Sequence, residues 1–157
     1  MINVREASPR DLDAIVEIAD RCGLSFWSAH DYLKEMERED SVFFVAESSH
    51  ANLVGFILGR IISAGVQSEA EIYNIGVSAD TRRSGIGSEL LTKFVSVVRD
   101  GGTKVVYLEV RSMNTHAISF YASHGFQRTY VRRSYYTAPN DDAVILRLDC
   151  RNLPQSR

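Results

Sequence analysis

A short glycine-rich segment lies between a predicted strand and a predicted helix, and it reads Arg82-Arg83-Ser84-Gly85-Ile86-Gly87-Ser88. The two glycines allow a tight turn and leave the backbone open to a ligand, because neither residue carries a Cβ. The first amide groups of a helix have no partner within it and lie at the positive end of its dipole. The segment therefore predicts a pyrophosphate site, with an ordinary turn and solvated arginines as the alternative. It is neither a Walker A loop, which needs a lysine, nor a three-glycine dinucleotide fingerprint.

One carboxylate stands where proton transfer would need it. Glu109 is at the C-terminal end of a predicted strand, the end where ligands gather in open α/β sheets. Strand alternation places its side chain on one face with Tyr107 and Arg111. Two interpretations are open at this point: a general base, or a strand-end glutamate paired with Arg111 or with solvent.

A phenol follows on the next predicted helix. Asn114, Ile118 and Tyr121 are spaced to lie on one face of that helix. A phenol with a pKa near 10 keeps its proton at pH 7 and can donate it. Adjacent aromatics are also typical of a hydrophobic core, so we expect Phe120 in the core and Tyr121 in the site.

The elements that must position these residues follow from hydrophobic periodicity and turn residues. Their order is β-α-α-β-β-β-α-β-α-β-β, which predicts a mixed sheet with helices on both faces. The predicted strands are Ile2–Glu6, Val42–Glu47, Leu53–Ser63, Glu69–Val77, Lys104–Val110, Phe126–Tyr135 and Ala143–Leu148. The predicted helices begin at Ser8, Ser28, Gly85 and Asn114 and end near Gly23, Asp40, Arg99 and Ser123.

Composition narrows the class of protein. A chain of 157 residues, 45% of them hydrophobic, suits a single globular domain over residues 1–157. No stretch is long and apolar enough to span a membrane, and a net charge of -2 argues against binding nucleic acid through bulk charge. Cys22, Cys150 and the four histidines have no metal-ligand spacing. We expect no metal, no membrane and no nucleic acid, and a cytoplasmic location.

Together, these segments resemble a known family. The pattern Arg82-x-x-Gly85-x-Gly87, after a strand that ends Asn74-Ile75-Gly76-Val77, is similar to the acetyl-CoA pyrophosphate loop of the GNAT N-acetyltransferases. The segments 108–114, 117–121 and 124–126 resemble the second half of that fold. The segments 131–136 and 142–146 resemble the RimI-like branch, the N-terminal acetyltransferases of ribosomal proteins. Before residue 60 the main similarity is Phe26-Trp27-Ser28, and Gly76 stands where the family pattern has alanine.

The resemblance implies a fold, a co-substrate and a set of roles. The fold would be α+β (mixed α/β), with a central, mostly antiparallel sheet of about seven strands. Acetyl-CoA would be the co-substrate. Glu109 would be the general base and Tyr121 the general acid, with an oxyanion donor among the backbone amides of 75–77. The implied cofactor contacts are Ile75, Gly76, Val77, the loop residues Arg82, Arg83, Ser84, Gly85, Ile86, Gly87 and Ser88, and Asn114; the implied acceptor contacts are Trp27, Tyr135 and Tyr136.

The acceptor is the open part of this interpretation. An α-amine has an ordinary pKa of about 7.7–8.0, against about 10.4 for lysine, so a carboxylate acting through water can suffice for an N-terminus. The favoured acceptor is therefore a protein N-terminus, with a ribosomal protein as one candidate. A small amine or a lysine side chain is the alternative within enzymes. A non-catalytic acyl-CoA-binding module is the alternative outside them.

Overall fold

A computed structural model describes residues 1–24, 27–63 and 68–154, and these form one seven-stranded sheet and four α-helices. The strands are β1 Asn3–Glu6, β2 Ser41–Glu47, β3 Leu53–Ser63, β4 Glu69–Val77, β5 Val105–Arg111, β6 Gln127–Tyr136 and β7 Asp141–Asp149. The helices are α1 Leu12–Arg21, α2 Ala29–Met36, α3 Ile86–Asp100 and α4 Thr115–Ser123. The predicted order of elements and the mixed fold class are confirmed.

The sheet is antiparallel except at one junction in the described part of the chain. Its order is β1-β2-β3-β4-β5-β7-β6, and β4 and β5 pair in parallel. A parallel pair needs a crossover connection, and α3 provides it. The arrangement places the end of β4, the beginning of α3 and the end of β5 at the same edge of the molecule.

Helix α2 is shorter than predicted. It begins as expected, because Ser28 accepts a hydrogen bond from the backbone of Asp31 and caps the first turn. We expected it to reach about Asp40, but it ends at Met36. The backbone amide of Arg38 closes a turn on Glu35, and the Arg38 guanidinium donates twice to Asp40 at 2.8 Å. These local bonds end the helix and direct the chain into β2.

The two faces of the sheet are covered unequally. One face carries α3 and α4 over a large core that includes Leu90, Phe94 and Leu146. The other face carries α1 and α2 over a smaller core, whose buried strand residues come from β2 and β3. On that second face the β5 side chains Tyr107, Glu109 and Arg111 remain partly exposed. An open surface therefore remains beside α1 and α2.

Two features are absent from the described residues. No helix among them is long and apolar enough to cross a membrane. No group of three or more His, Cys, Asp or Glu side chains in the same ranges could hold a metal ion.

Candidate active site

The site is built around a separation of two neighbouring strands. Register pairing between β4 and β5 runs from Glu69–Val105 to Ile72–Leu108, although β4 continues to Val77 and β5 to Arg111. The pairing of β4 with β3 skips Tyr73, which marks a β-bulge. A bulge bends its strand and increases the local twist. The bend opens a wedge whose first wall is the backbone of residues 75–77, where the cofactor contacts were predicted.

Gly76 has a packing reason that the sequence did not reveal. A Cβ on this residue would lie 2.9 Å from the ring of Phe56 and 3.1 Å from Leu24. Both neighbours belong to the core beneath α1 and α2. Gly76 therefore replaces the family's alanine at a position where the ring of Phe56 occupies the space that a Cβ would need.

The glycine loop presents an uncapped helix end. Gly85 precedes α3 with a φ of 80°, and no side chain caps the helix there. Arg83 also has a left-handed backbone, with a φ of 69°. Such a conformation is strained for a residue other than glycine, and it turns successive amides inward. The start of α3 thus has free amides of the kind that bind anions in other proteins, and the pyrophosphate site stays a prediction.

The side chains of the loop leave that site accessible. Arg82, Arg83 and Ser84 are exposed, and in the described ranges neither arginine forms an ion pair. The Arg82 guanidinium donates to the Cys22 thiol at 3.6 Å. The side chain of Ile86 is buried, so only its backbone can serve a ligand. Gly87 and Ser88 are partly exposed in the first turn of α3.

Glu109 lies where the two strands part. It directly follows Leu108, the last residue of β5 that pairs with β4. Its side chain is 26% exposed, and its Oε1 lies 3.4 Å from Nη1 of Arg132. Arg111 turns elsewhere: its guanidinium lies 4.3 Å from the ring centroid of Tyr136. The cation beside Glu109 is therefore Arg132 of β6 rather than Arg111.

Both Phe120 and Tyr121 pack in or against the α3 and α4 core, and Tyr121 is the more deeply buried of the two. Tyr121 is 6% exposed and packs in the α3 and α4 core, whereas Phe120 is partly exposed. The chain after α4 turns back so that the amide of Phe126 donates to the Tyr121 carbonyl, and the Phe126 ring covers Tyr121 with a centroid distance of 5.4 Å. The ring of Phe120 instead faces Gly87 in the glycine loop.

Burial also changes the chemistry of Tyr121. Loss of contact with water raises the pKa of its phenol above the usual range. The phenol thus keeps its proton through the neutral pH range. Its assignment as the general acid stays a prediction.

Asn114 has a structural task at the start of α4. Its Oδ1 accepts a hydrogen bond from the amide of Ala117 at 3.1 Å, so it is the N-cap of the helix. The residue is exposed, and its side-chain nitrogen is not used in this cap. Its contact with the cofactor stays a prediction.

The predicted acceptor residues form two separate groups of aromatic contacts. Trp27 packs against the ring of Tyr73 on β4 with a centroid distance of 6.4 Å, beside a cavity of about 620 Å³. In the second group, the Arg132 guanidinium lies 5.5 Å from the ring centroid of Tyr135. Tyr136 packs edge-on against Tyr135. Phe26 lies outside the described residues.

One residue that sequence reasoning missed shares this surface. Glu71 of β4 lies opposite Arg60 of β3 and opposite Tyr107 of β5. Burial and the nearby charge of Glu109 raise the pKa of the Glu71 carboxyl. Its alternation with buried Ala70 and Ile72 was the available signal, but the sequence could not show that it faces Glu109.

Comparison with known proteins gives a consistent result. Residues 12–126 match the acetyltransferase (GNAT) family. The chain is 29% identical over 150 residues to an Escherichia coli K12 protein named [ribosomal protein bS18]-alanine N-acetyltransferase, covering 94% of this chain and 97% of that one. It is 38% identical over 106 residues to the N-alpha-acetyltransferase RimI of Mycobacterium tuberculosis, covering 68% of this chain and 65% of that one. The crystal structure of the ribosomal-protein-S18-alanine N-acetyltransferase from Escherichia coli superposes with a TM-score of 0.83 at 28% identity, covering 99% of this chain and all of that one.

Proposed function

This chain belongs to the GNAT family of acetyltransferases and uses acetyl-CoA, and we propose that its acceptor is the α-amine at the N-terminus of a protein. The observation that carries the proposal is the place of Glu109, directly after the last β4–β5 pair. Its ion-pair partner Arg132 also lies over the ring of Tyr135, one of the predicted acceptor residues. The names of the two bacterial relatives support the same acceptor class.

The residues present fit the co-substrate. The amides of Ile86 and Gly87, with the exposed Arg82 and Arg83, would hold the pyrophosphate through charge-assisted hydrogen bonds. The backbone of residues 75–77 has no register partner on β5, and it would form hydrogen bonds with the amide groups in the pantetheine arm of acetyl-CoA. When bound, acetyl-CoA supplies the thioester carbonyl that the amine attacks. One amide of this segment would donate to the carbonyl oxygen as negative charge develops on it.

Glu109 would remove the proton from the incoming amine. An α-amine is mostly protonated at pH 7, but its pKa lies about 2.5 units below that of lysine. Its neutral fraction is therefore about 300-fold larger, and a carboxylate acting directly or through water can complete the deprotonation. The guanidinium of Arg132 lies 3.4 Å from the Glu109 carboxylate and pairs with it.

Tyr121 would supply a proton to the leaving sulfur. The new bond joins the amine nitrogen to the carbonyl carbon, and the carbon–sulfur bond breaks. The amine proton goes to Glu109, and the phenol proton goes to the thiolate. A phenol that remains neutral in a buried setting can donate at that moment and recover its proton from solvent.

The test measures acceptor class directly. Purified protein is mixed with acetyl-CoA and peptides that differ in their first two residues, including peptides that begin with alanine as the relative's name suggests. Polyamines and lysine peptides with blocked N-termini are offered in parallel. We expect thiol release with free N-terminal peptides, with mass spectrometry placing the acetyl group on the α-amine. Release with only polyamines or lysine peptides would refute the proposed acceptor.

A further inference from the structure

Strand β6 is an exposed edge of the sheet. It is the last strand in the order β1-β2-β3-β4-β5-β7-β6, and nine of its ten residues are exposed. Apart from the ladder with β7, the backbone of residues 127–133 makes no backbone hydrogen bond within the described part of the chain. An edge strand of this kind presents a row of free amide and carbonyl groups with which another strand can pair.

The side chains of β6 combine positive charge with exposed apolar area. The strand contains Arg128, Arg132 and Arg133 and no acidic residue, in a chain whose formal net charge is -2. Between the arginines, Tyr130 is 51% exposed and Val131 is 44% exposed. Neighbouring exposed apolar side chains with charged residues around them are typical of a surface that binds another molecule.

Two of the three arginines are available to a partner. Arg132 lies 3.4 Å from Glu109 and donates to the phenol oxygen of Tyr130 at 3.2 Å. Arg128 and Arg133 are exposed, and neither forms an ion pair or a hydrogen bond with a residue in the described ranges. Their guanidinium groups can therefore form charge-assisted hydrogen bonds with incoming carboxylates.

We propose that β6 is a docking edge for an extended acidic segment of a partner protein, which adds to the sheet as a further strand. The backbone of the segment pairs with the free groups along the outer side of β6. Its carboxylates lie beside Arg128 and Arg133, and its apolar side chains cover Tyr130 and Val131.

The docked segment leaves the acceptor site open. Strands β7 and β6 lie between β5 and the outer edge of the sheet. Neighbouring strands are about 4.8 Å apart, so the added strand would lie about 14 Å from β5, the strand that carries Glu109. The partner and the acceptor can therefore bind at the same time, whatever amine the acceptor presents.

Charge and backbone chemistry favour an acidic polypeptide over two other occupants. If two copies of β6 paired antiparallel with Tyr130 at the centre, Arg128 of each copy would lie opposite Arg132 of the other, and like charges in that position destabilise the pair. Nucleic acid has the required negative charge, but it has no backbone that can pair with a row of alternating amide and carbonyl groups.

The test uses a peptide in which glutamate alternates with valine and threonine, about eight residues long so that it spans most of β6. Both ends are blocked, so the peptide has no amine to act as an acceptor. One control peptide has lysine in place of glutamate. The other has proline in place of valine and threonine, which keeps the charge but removes the amides that a strand needs. Fluorescence anisotropy gives the affinity, and hydrogen exchange locates the peptide.

We expect the glutamate peptide to bind and to slow hydrogen exchange in residues 127–133, while neither control peptide does so. Arg128→Glu and Arg133→Glu should each weaken binding about 5- to 10-fold, because a favourable cross-strand charge pair becomes a repulsive one. Arg10→Glu is the matched control, since Arg10 is also exposed, forms no ion pair with a described residue and is distant from β6 in the fold. It should leave the affinity unchanged, and the melting temperatures of all three variants should confirm that they fold.

Several outcomes would overturn the acidic strand. Equal binding of the proline peptide would show that charge alone holds the probe, and protection outside residues 127–133 would place it elsewhere. Equal losses in Arg10→Glu and Arg128→Glu, or no binding at about 1 mM peptide, would remove the site. Tighter binding of a single-stranded oligonucleotide to β6 would assign the edge to nucleic acid. A dimer of the wild type that protects β6 without any peptide would assign it to a second copy.

Discussion

Replacing Gly87 with alanine should have opposite effects on the stability of the unliganded protein and on its affinity for acetyl-CoA. Gly87 is the second residue of α3, and an added Cβ would lie 3.4 Å from the ring of Phe120, which is van der Waals contact. The folded protein thus accommodates the methyl group. Alanine is a better helix former than glycine by up to about 1 kcal/mol, so the unliganded protein should be slightly more stable.

The expected effect on acetyl-CoA is opposite in sign. A Cβ projects about 1.5 Å from the backbone at the point where phosphate oxygens must approach the helix amides. One hydrogen bond to a charged group contributes about 1.5–3 kcal/mol, so losing it weakens binding about 10- to 150-fold. At a ligand concentration of 100 times the wild-type Kd, binding stabilises wild type by about 2.7 kcal/mol. A variant that binds 30-fold more weakly gains only about 0.9 kcal/mol at the same concentration.

The assay is calorimetric titration with acetyl-CoA, together with thermal melting with and without the ligand. About 1 kcal/mol corresponds to roughly 2–4 °C for a protein of this size. Gly101→Ala is the matched control, because Gly101 is at the other end of α3 and its added Cβ would have contacts of 3.5 and 3.6 Å. An unchanged Kd in Gly87→Ala, or an equal loss in Gly101→Ala, would show that the loop does not hold the phosphates.

Three further predictions concern the groups that move or hold protons. Glu109→Gln should lower kcat about 10²–10⁴-fold with acetyl-CoA affinity unchanged, and the deficit should shrink above the pKa of the acceptor; a pH-independent deficit would contradict a base. Tyr121→Phe should lower kcat with acetyl-CoA by a similar factor, and an aryl thioester with a better leaving group should recover the rate. Equal losses with acetyl-CoA and the aryl thioester would mean that the hydroxyl only positions the substrate. Because the pKa of Glu71 is raised by folding, its contribution to stability is fully present below the unfolded pKa and is lost as the pH rises through the folded pKa. Glu71→Gln should therefore melt about 1–3 °C higher than wild type at pH 8 but not at pH 4, and an equal gain at both values would exclude charge as the cause.

The fold was predictable because its signals are local. Period-2 and period-3.6 hydrophobic patterns identified every strand and helix, and Ser28 with Asp31 marked the start of α2. The end of α2 was not predictable in the same way. The pair Arg38–Asp40 competes with one more helical turn, and no periodicity reports the outcome of that competition.

The site was predictable only where a residue acts through its own sequence neighbours. The turn at the glycine loop and the start of α4 at Asn114 are of this kind. The burial of Tyr121 depends on Phe126, which covers it only after the chain turns at Gly125. Glu71 faces Glu109 because two distant strands pair in one particular register. Such long-range register leaves no pattern in the segment that contains Glu71.

The narrow parallel junction has a consequence for how the molecule opens. The described sheet has two lobes, one made of β1, β2, β3 and β4 and the other of β5, β7 and β6. Four register pairs between β4 and β5 join the two lobes. Two lobes joined by a short backbone ladder can exchange their amide hydrogens at different rates, although the α3 and α4 core packs against both. The glycine loop belongs to the first lobe and the wedge is bounded by both. Acetyl-CoA bound in the wedge would contact both lobes. It should therefore slow hydrogen exchange in β5 and β7 as well as around the glycine loop.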